Sequence, residues 1–412
     1  MFRTKMQNGV ETNKKTAVVN LVIVANAFIW YFYSYVFLQK AINASEVSTE
    51  TATIFGINIA TIAVAAILSA SRINHSKNRL RFLYYWMLAG VVVSLTPFVI
   101  NLATFAGLVA FSVIVGLYFG LGMPVCLAYY AAHTKTETRA RLSGIVFFFI
   151  GLGFILLNSM EISNLMLDAI FLSAWRGAGV AILVTLKPRE TKPDTSGRVS
   201  FGSVLSNKAF LLYFIPWCLF MIVNLLIAPL TAKLFGNLLS EDVLTLSSGI
   251  DNAIAFVVAV ISGFFADLIG RKRLTITGFS LLGIGYAVLG LFPGDLNGYW
   301  LFTVIDGITW GIFYTIFLIT IWGDLAQGKA SEKYYSIGSL PFLLAVFVRL
   351  SLGTQIVDLV PSYGFFSFAG VFLFLAVLPL VYAPETLPEK TIKERELKGY
   401  LEKARKEAEK YS

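Results

Sequence analysis

Three ionisable side chains interrupt long apolar runs in the second half of this chain. Asp251 and Asp306 each lie seven residues after the start of such a run, and Arg349 lies fourteen residues after the start of another. A charge in hydrocarbon costs at least roughly 2.5–3.5 kcal/mol at mid-depth, so each marks a candidate functional site. At about 1.5 Å per residue, with the run of Arg349 crossing in the opposite direction, all three lie roughly 9–10 Å below the same membrane surface.

Two acids and one base leave one carboxylate without a partner. Such a carboxylate can load and release a proton, which is the chemistry that a proton-coupled carrier needs. The same residues allow a second interpretation, in which Asp306 and Arg349 form a structural ion pair and Asp251 faces the outer water. The sequence leaves both interpretations open.

Membrane-spanning helices must position these groups. The chain is 57% hydrophobic and 14% charged, whereas an average soluble domain is about a quarter charged, so lipid must be the solvent for much of it. Twelve apolar runs approach or exceed the roughly 20 residues that a bilayer requires. They are 16–38, 50–71, 82–104, 106–132, 142–160, 163–186, 209–237, 244–266, 274–293, 299–325, 335–357 and 362–383. The pattern predicts an all-α polytopic membrane protein with twelve transmembrane helices.

The net charge of +9 follows from topology and does not indicate a nucleic-acid partner. All but four of the 33 basic residues lie in alternate connections or at the two ends of the chain. Because positive charge marks the cytoplasmic side, we predict a multi-pass protein of the cell membrane with both termini cytoplasmic. The four exceptions are Lys40, Arg176, Lys233 and Arg349. Arg176, in the sixth run, is expected to snorkel or to pair with Asp168.

The chain divides at its longest internal polar connection. We predict an N-terminal six-helix bundle (1–186), a cytoplasmic linker (187–208), a C-terminal six-helix bundle (209–383) and a charged cytoplasmic helical tail (384–412). Gly56-Ile57-Asn58 in the second run matches Gly249-Ile250-Asp251 in the eighth, which indicates a duplicated unit. Duplicated six-helix units form two bundles that rock around a site between them. Asn58 thus corresponds to Asp251 and joins the candidate site residues.

The segment after the eighth run reads Gly263-Phe-Phe-Ala-Asp267-Leu-Ile-Gly270-Arg271-Lys272-Arg273. It resembles the loop signature of the major facilitator superfamily, G-x-x-x-D-x-x-G-R-K/R. Gly263, Asp267, Gly270, Arg271 and Lys272 match it, although Leu268 stands where an arginine is often found and the first-half copy is degenerate. Two further segments resemble family motifs, which are Arg139-Ala-Arg141-Leu-Ser-Gly144 after the fourth span and Pro384-Glu385-Thr386 after the last.

The matched segment has a physical role that does not depend on the family. Asp267 ends a helix at the membrane face, and the bases that follow can pair with it or with a neighbouring helix terminus. Breakable contacts of this kind can hold two bundles together in one state and release them in another, so these residues are predicted to form a gate. Alternatively, the bases only fix topology.

The resemblance implies a major facilitator fold and a secondary active transporter that moves a small organic solute by alternating access, with proton coupling as an option. We expect a monomer in the lipid bilayer without a cofactor. The alternative is a non-transporting sensor on a carrier fold. An enzyme is not expected, because the only histidines, His75 and His133, lie in loops. The aromatic residues of the first span, such as Tyr31 and Tyr35, form either an interfacial belt or a cavity wall.

Overall fold

The computed structural model describes residues 14–45, 47, 50–72, 79–159, 164–188, 199–236, 238–292, 294–359, 362–388 and 397, with backbone alone at 14, 158, 228, 347, 350–359, 362 and 363. Most of the predicted helical tail (389–396 and 398–412) and residues 189–198 of the predicted linker lie outside these residues. The described chain forms fourteen α-helices. They are α1 (Lys14–Asn43), α2 (Thr51–Arg72), α3 (Arg79–Ser94), α4 (Phe105–Ala132), α5 (Thr136–Asn158), α6 (Leu165–Leu186), α7 (Phe201–Leu205), α8 (Lys208–Gly236), α9 (Glu241–Ile269), α10 (Arg271–Leu291), α11 (Leu296–Phe313), α12 (Ile321–Ala326), α13 (Ser331–Leu359) and α14 (Ser362–Tyr382).

Eleven segments of the described chain are long and apolar enough to cross a bilayer. One of them, Leu296–Ala326, contains α11, α12 and a π-helical segment (Tyr314–Thr320) between them. The remaining predicted span corresponds to α13, a helix of 29 residues. Its length of about 43 Å exceeds a hydrocarbon core of roughly 30 Å. The polytopic helical fold is therefore confirmed, with α7 as a short additional helix within the predicted linker.

Helix ends are fixed by local chemistry where polar side chains are available. Thr104 accepts a hydrogen bond from the Gly107 amide at the start of α4, and Asp295 accepts one from the Gly298 amide at the start of α11. Both are N-caps, which satisfy backbone donors that the first helical turn leaves unpaired. Between α9 and α10 the chain turns through a single residue, Gly270, whose φ of 102° favours glycine.

The two halves repeat one packing device. In the first half, Gly116 and Gly120 of α4 lie against backbone carbonyl groups of α2, with no room for a Cβ atom. In the second half, Gly307 and Gly311 of α11 lie in the same way against the carbonyl groups of Asp251 and Ala255 in α9. Small residues let helices approach closely where lipid supplies no hydrophobic drive. The device brings Asp251 directly beside α11.

The most extensive helix contacts between the halves join α5 with α9 and α2 with α13. The α5–α9 contact is close, because Gly263 leaves room for the carbonyl oxygen of Ala140 and Gly144 leaves room for the backbone of Ala259. Further along, the Tyr314 ring stacks on Phe147 of α5, with centroids 5.3 Å apart. These contacts place the candidate gate and one of the two cavities described below at the interface between the halves.

Candidate functional site

A network of buried charges joins the halves at one end of the bundle. We call this end, which carries Arg79, Arg139 and Arg271, the basic face. Asp324 in α12 receives hydrogen bonds from Arg139 of α5 and, at 3.1 Å, from Nε of Arg271 in α10. Thr386 donates a third, also at 3.1 Å. Arg271 and the Asp324 side chain are fully shielded from solvent, so the three charges depend on one another for solvation.

Asp267 extends this network along the α5–α9 contact. Its Oδ2 accepts a hydrogen bond from the Arg141 amide at 3.0 Å and lies 3.4 Å from Nε of Arg141. Its Oδ1 lies 2.9 Å from a guanidinium nitrogen of Arg271. Arg271 also donates to the carbonyl oxygen of Thr136 in α5. The acid and base of the signature thus contact both one another and the opposite half.

The other members of the signature support this arrangement. Gly270 lies where a Cβ atom would collide with the carboxylate of Glu385. That carboxylate accepts hydrogen bonds from the Arg271 amide at 2.9 Å and the Lys272 amide at 3.1 Å, so it caps α10. A carboxylate at a helix N-terminus interacts favourably with the helix dipole. Lys272 also donates from Nζ to the Val381 carbonyl at 2.6 Å.

A second connection crosses the basic face at α3 and α13. Nε of Arg79 lies 2.7 Å from Oε1 of Glu332, whose side chain is fully buried. One buried ion pair would be weak evidence for a gate. Here three separate acid–base pairs, Arg79–Glu332, Arg139–Asp324 and Arg141–Asp267, join the halves at the same end.

Asp324, Glu332 and Glu385 are members of this network that sequence reasoning did not select as site residues. A signal was present, because acids are sparse among the basic connections and Asp324 lies in the last turn of an apolar run. Glu385 belongs to the Pro-Glu-Thr segment that we quoted without assigning it a role. Their pairing partners lie far away in sequence, so no local spacing identified them.

Inside the second half, the structure brings Asp251 and Asp306 together. Oδ1 of Asp251 lies against Gly307, the neighbour of Asp306 in α11. Asp306 is thus adjacent in α11 to the residue that the Asp251 carboxylate lies against. Each has one buried oxygen, Oδ1, to which no described group donates a hydrogen bond. This is an acidic pair in a setting that stabilises charge poorly.

Arg349 lies apart from this pair. No ion pair joins it to Asp251 or Asp306 among the described residues. It lines a cavity of about 200 Å³ together with Asn224, Trp310, Tyr314 and five apolar residues. Its guanidinium is within electrostatic reach of Tyr35 in α1 and of Tyr314. The interpretation that Asp306 and Arg349 form a structural ion pair therefore does not describe this structure.

A second cavity, of about 130 Å³, adjoins the first and shares Tyr314 and Phe342 with it. Phe28, Tyr31 and Phe32 of α1 line it from the first half, with Phe119 of α4. For these residues of the first span, the cavity-wall interpretation holds. Tyr314 begins the π-helical segment, an irregularity that often marks functional sites in helices.

Two residues from the sequence analysis have structural surroundings within the first half. Asn58 is buried and donates from Nδ2 to the Ser112 carbonyl at 2.8 Å, which links α2 to α4.

Arg176 is fully buried, so the expectation that it snorkels is wrong. Nor does it pair with Asp168, which contacts Lys40 and Tyr33 instead. Arg176 donates to Asn26 and Tyr118 and lies over the Trp86 ring, 4.6 Å from its centroid. These partners replace water around its charge.

The family model described as Major Facilitator Superfamily matches residues 16–321. The human organic anion transporter MFSD10 (TETRAN) has a TM-score of 0.67 at 14% identity, covering 89% of this chain and 100% of that chain. The proton:xylose symporter XylE bound to 6-bromo-6-deoxy-D-glucose has a TM-score of 0.64 at 16% identity, covering 91% and 97%. A double-tryptophan mutant of XylE has a TM-score of 0.68 at 16% identity, covering 93% and 99%.

No curated protein matches the sequence at a significant level. At identities this low the solved structures support the fold alone. The family match covers about three quarters of the chain and includes the signature from Gly263 to Lys272. With the helical architecture and the charge network at the basic face, it leads to one conclusion: this chain belongs to the major facilitator superfamily of membrane transporters.

Proposed function

We propose that this membrane transporter moves a small organic solute by alternating access, and that the structure represents the state closed at the basic face. One observation carries the proposal. Three acid–base pairs join the halves at this end, while an aromatic cavity lies between the halves further along the helices. Ion pairs can be exchanged for water when a face opens, so they can stabilise one state without locking it.

The acidic pair supports proton coupling. Two carboxylates that are this close and poorly solvated favour holding one proton between them, because full ionisation places like charges side by side. Tyr314 is within electrostatic reach of both acids and of Arg349, and it lines both cavities. Occupation of the cavities can therefore influence protonation of the acids through Tyr314, which lines both cavities. We propose that Asp251 and Asp306 together bind the coupling proton.

A pair of glycine substitutions tests the gate. A Cβ atom at Gly263 would lie 2.5 Å from the Ala140 carbonyl oxygen and 3.0 Å from Cα of Arg141, whereas one at Gly249, in the same helix, meets nothing within 4 Å. Gly263→Ala is therefore expected to shift the population away from the state closed at the basic face. Gly249→Ala should leave it unchanged, and both substitutions change helix propensity equally.

The measurement is a distance distribution between spin labels on cysteines at Arg81 and Arg273, exposed residues of the two halves near the basic face. Gly263→Ala should add a longer distance component, and Gly249→Ala should reproduce the wild-type distribution. Matching distributions in all three proteins, with all three folded, would contradict the gate.

Orientation in the cell membrane is tested by thiol labelling in intact cells, in a background without Cys126 and Cys218. The positive-inside rule places the basic face in the cytoplasm. A membrane-impermeant thiol reagent should therefore label cysteines at Asn101 and Asn297, which are exposed at the opposite end. Cysteines at Arg81 and Lys329 should react only after the cells are opened. The reverse pattern would place the termini outside.

A further inference from the structure

Arg349 is a cation in a cavity of the second half, without an acidic partner among the described residues. Its side chain is exposed within the cavity that it lines, and no described carboxylate pairs with it. The other polar lining groups are the Asn224 amide, the Trp310 indole and the Tyr314 hydroxyl. All of these can donate hydrogen bonds, and Arg349 has only donors. The cavity is therefore built to receive an acceptor with negative charge.

The geometry of a guanidinium narrows the class of anion. Its planar fork matches a carboxylate through two parallel hydrogen bonds. A single arginine in a setting of low polarity balances one negative charge, which favours a monoanion over a phosphate dianion. The acids Asp251 and Asp306 line neither cavity, so they do not offer a cationic ligand a direct contact there.

The lining of the adjoining cavity restricts the chemistry of the rest of the ligand. Around the shared Tyr314 and Phe342 it is lined by aromatic and aliphatic side chains. Its polar lining groups are the hydroxyls of Ser339 and of its three tyrosines. A sugar would leave many of its hydroxyl groups without partners in such a cavity, and each unmade buried hydrogen bond is costly. An aromatic or branched apolar group fits these walls.

We propose that the transported solute is a monocarboxylate with an apolar body, whose carboxylate binds Arg349 and whose body lies among Phe28, Tyr31 and Phe119. Only the claim that this solute is transported rests on the proposed function. Binding at Arg349 is a separate claim that can be measured without transport.

The test uses three probes with one apolar body, which are 3-phenylpropionate, its neutral amide 3-phenylpropionamide and the cation 3-phenylpropylamine. Purified protein in detergent is titrated with each by calorimetry, and proteoliposomes are assayed for counterflow of each probe in labelled form. The variants are Arg349→Gln, which removes the charge, and Arg349→Lys, which keeps it without the fork. Arg81→Gln, at an exposed base near the basic face, serves as the matched control.

The acid should bind at least tenfold more tightly than the amide or the amine. Arg349→Gln should weaken binding of the acid between about tenfold and a hundredfold and leave the amide unchanged, because a hydrogen bond to a charged group is lost. The affinity of Arg349→Lys for the acid should lie between those of the wild type and Arg349→Gln. The affinity of Arg81→Gln should match that of the wild type. Equal binding of acid and amide, tighter binding of the amine, no binding of the acid, or no effect of Arg349→Gln would each overturn the proposal.

Two outcomes separate this inference from the proposed function. If the acid binds through Arg349 but no counterflow occurs, the ligand class stands and the chain is a sensor on a carrier fold. If the amine undergoes counterflow and the acid neither binds nor exchanges, the transport function stands and the ligand class is wrong.

Discussion

Asp324→Asn is expected to destabilise the folded protein by roughly 3–5 kcal/mol, the cost of removing one partner from a buried ion pair. Arg139 and Arg271 both donate to Asp324, and both guanidinium groups are buried. Asparagine keeps the size of the side chain but removes the charge that balances them. Asp267 remains beside Arg271, so Arg139 becomes the less compensated cation.

Thermal melting in detergent and the yield of monodisperse protein measure this effect. Asp295→Asn is the matched control, because Asp295 caps α11 by accepting a hydrogen bond from Gly298 and asparagine caps equally well. Arg139→Gln combined with Asp324→Asn should recover part of the loss, since it removes the cation left behind. A melting temperature of Asp324→Asn equal to that of Asp295→Asn would show that the network contributes nothing to the closed state.

Asp251→Asn and Asp306→Asn should each abolish solute accumulation driven by a proton gradient while leaving exchange of solute measurable. Exchange requires no net proton movement, so a carrier that has lost its proton site can still alternate with solute bound. The expected loss is complete, because the remaining carboxylate no longer shares a proton with a neighbour. Asp242→Asn, at an exposed acid in the first turn of α9, is the control. Gradient-driven uptake that persists in both variants would remove proton coupling.

The structure also decides what these substitutions do to stability. If Asp306 were the ion-pair partner of Arg349, Asp306→Asn would leave a buried cation and lower the folded yield by the same mechanism as Asp324→Asn. Because Asp306 instead lies beside another acid, Asp306→Asn leaves no cation without a partner, and its melting temperature should equal or exceed that of the wild type. Arg349→Ala and Asp306→Ala should then change stability additively, as separate sites do.

The sequence by itself determined the polytopic helical fold. Apolar runs of sufficient length can only become helices in a bilayer, because lipid satisfies no backbone hydrogen bond. It also led to the signature from Gly263 to Lys272, because an acid, bases and glycines lie at fixed spacing around the junction of two helices. These are local properties, and each can be found without knowledge of any neighbouring helix.

Only the tertiary structure decided which charges meet. Counting residues along a helix gives depth at about 1.5 Å per residue, and on this basis Asp251, Asp306 and Arg349 share one level. Each residue also rotates the side chain by about 100° around the axis, and the direction that finally faces a neighbour depends on how whole helices pack. Asp251 lies against Gly307 of α11, whereas Arg349 lines a cavity. The depth of a residue follows from one helix. The pairing of two side chains depends on how two helices pack, and the sequence of one helix alone does not determine that packing.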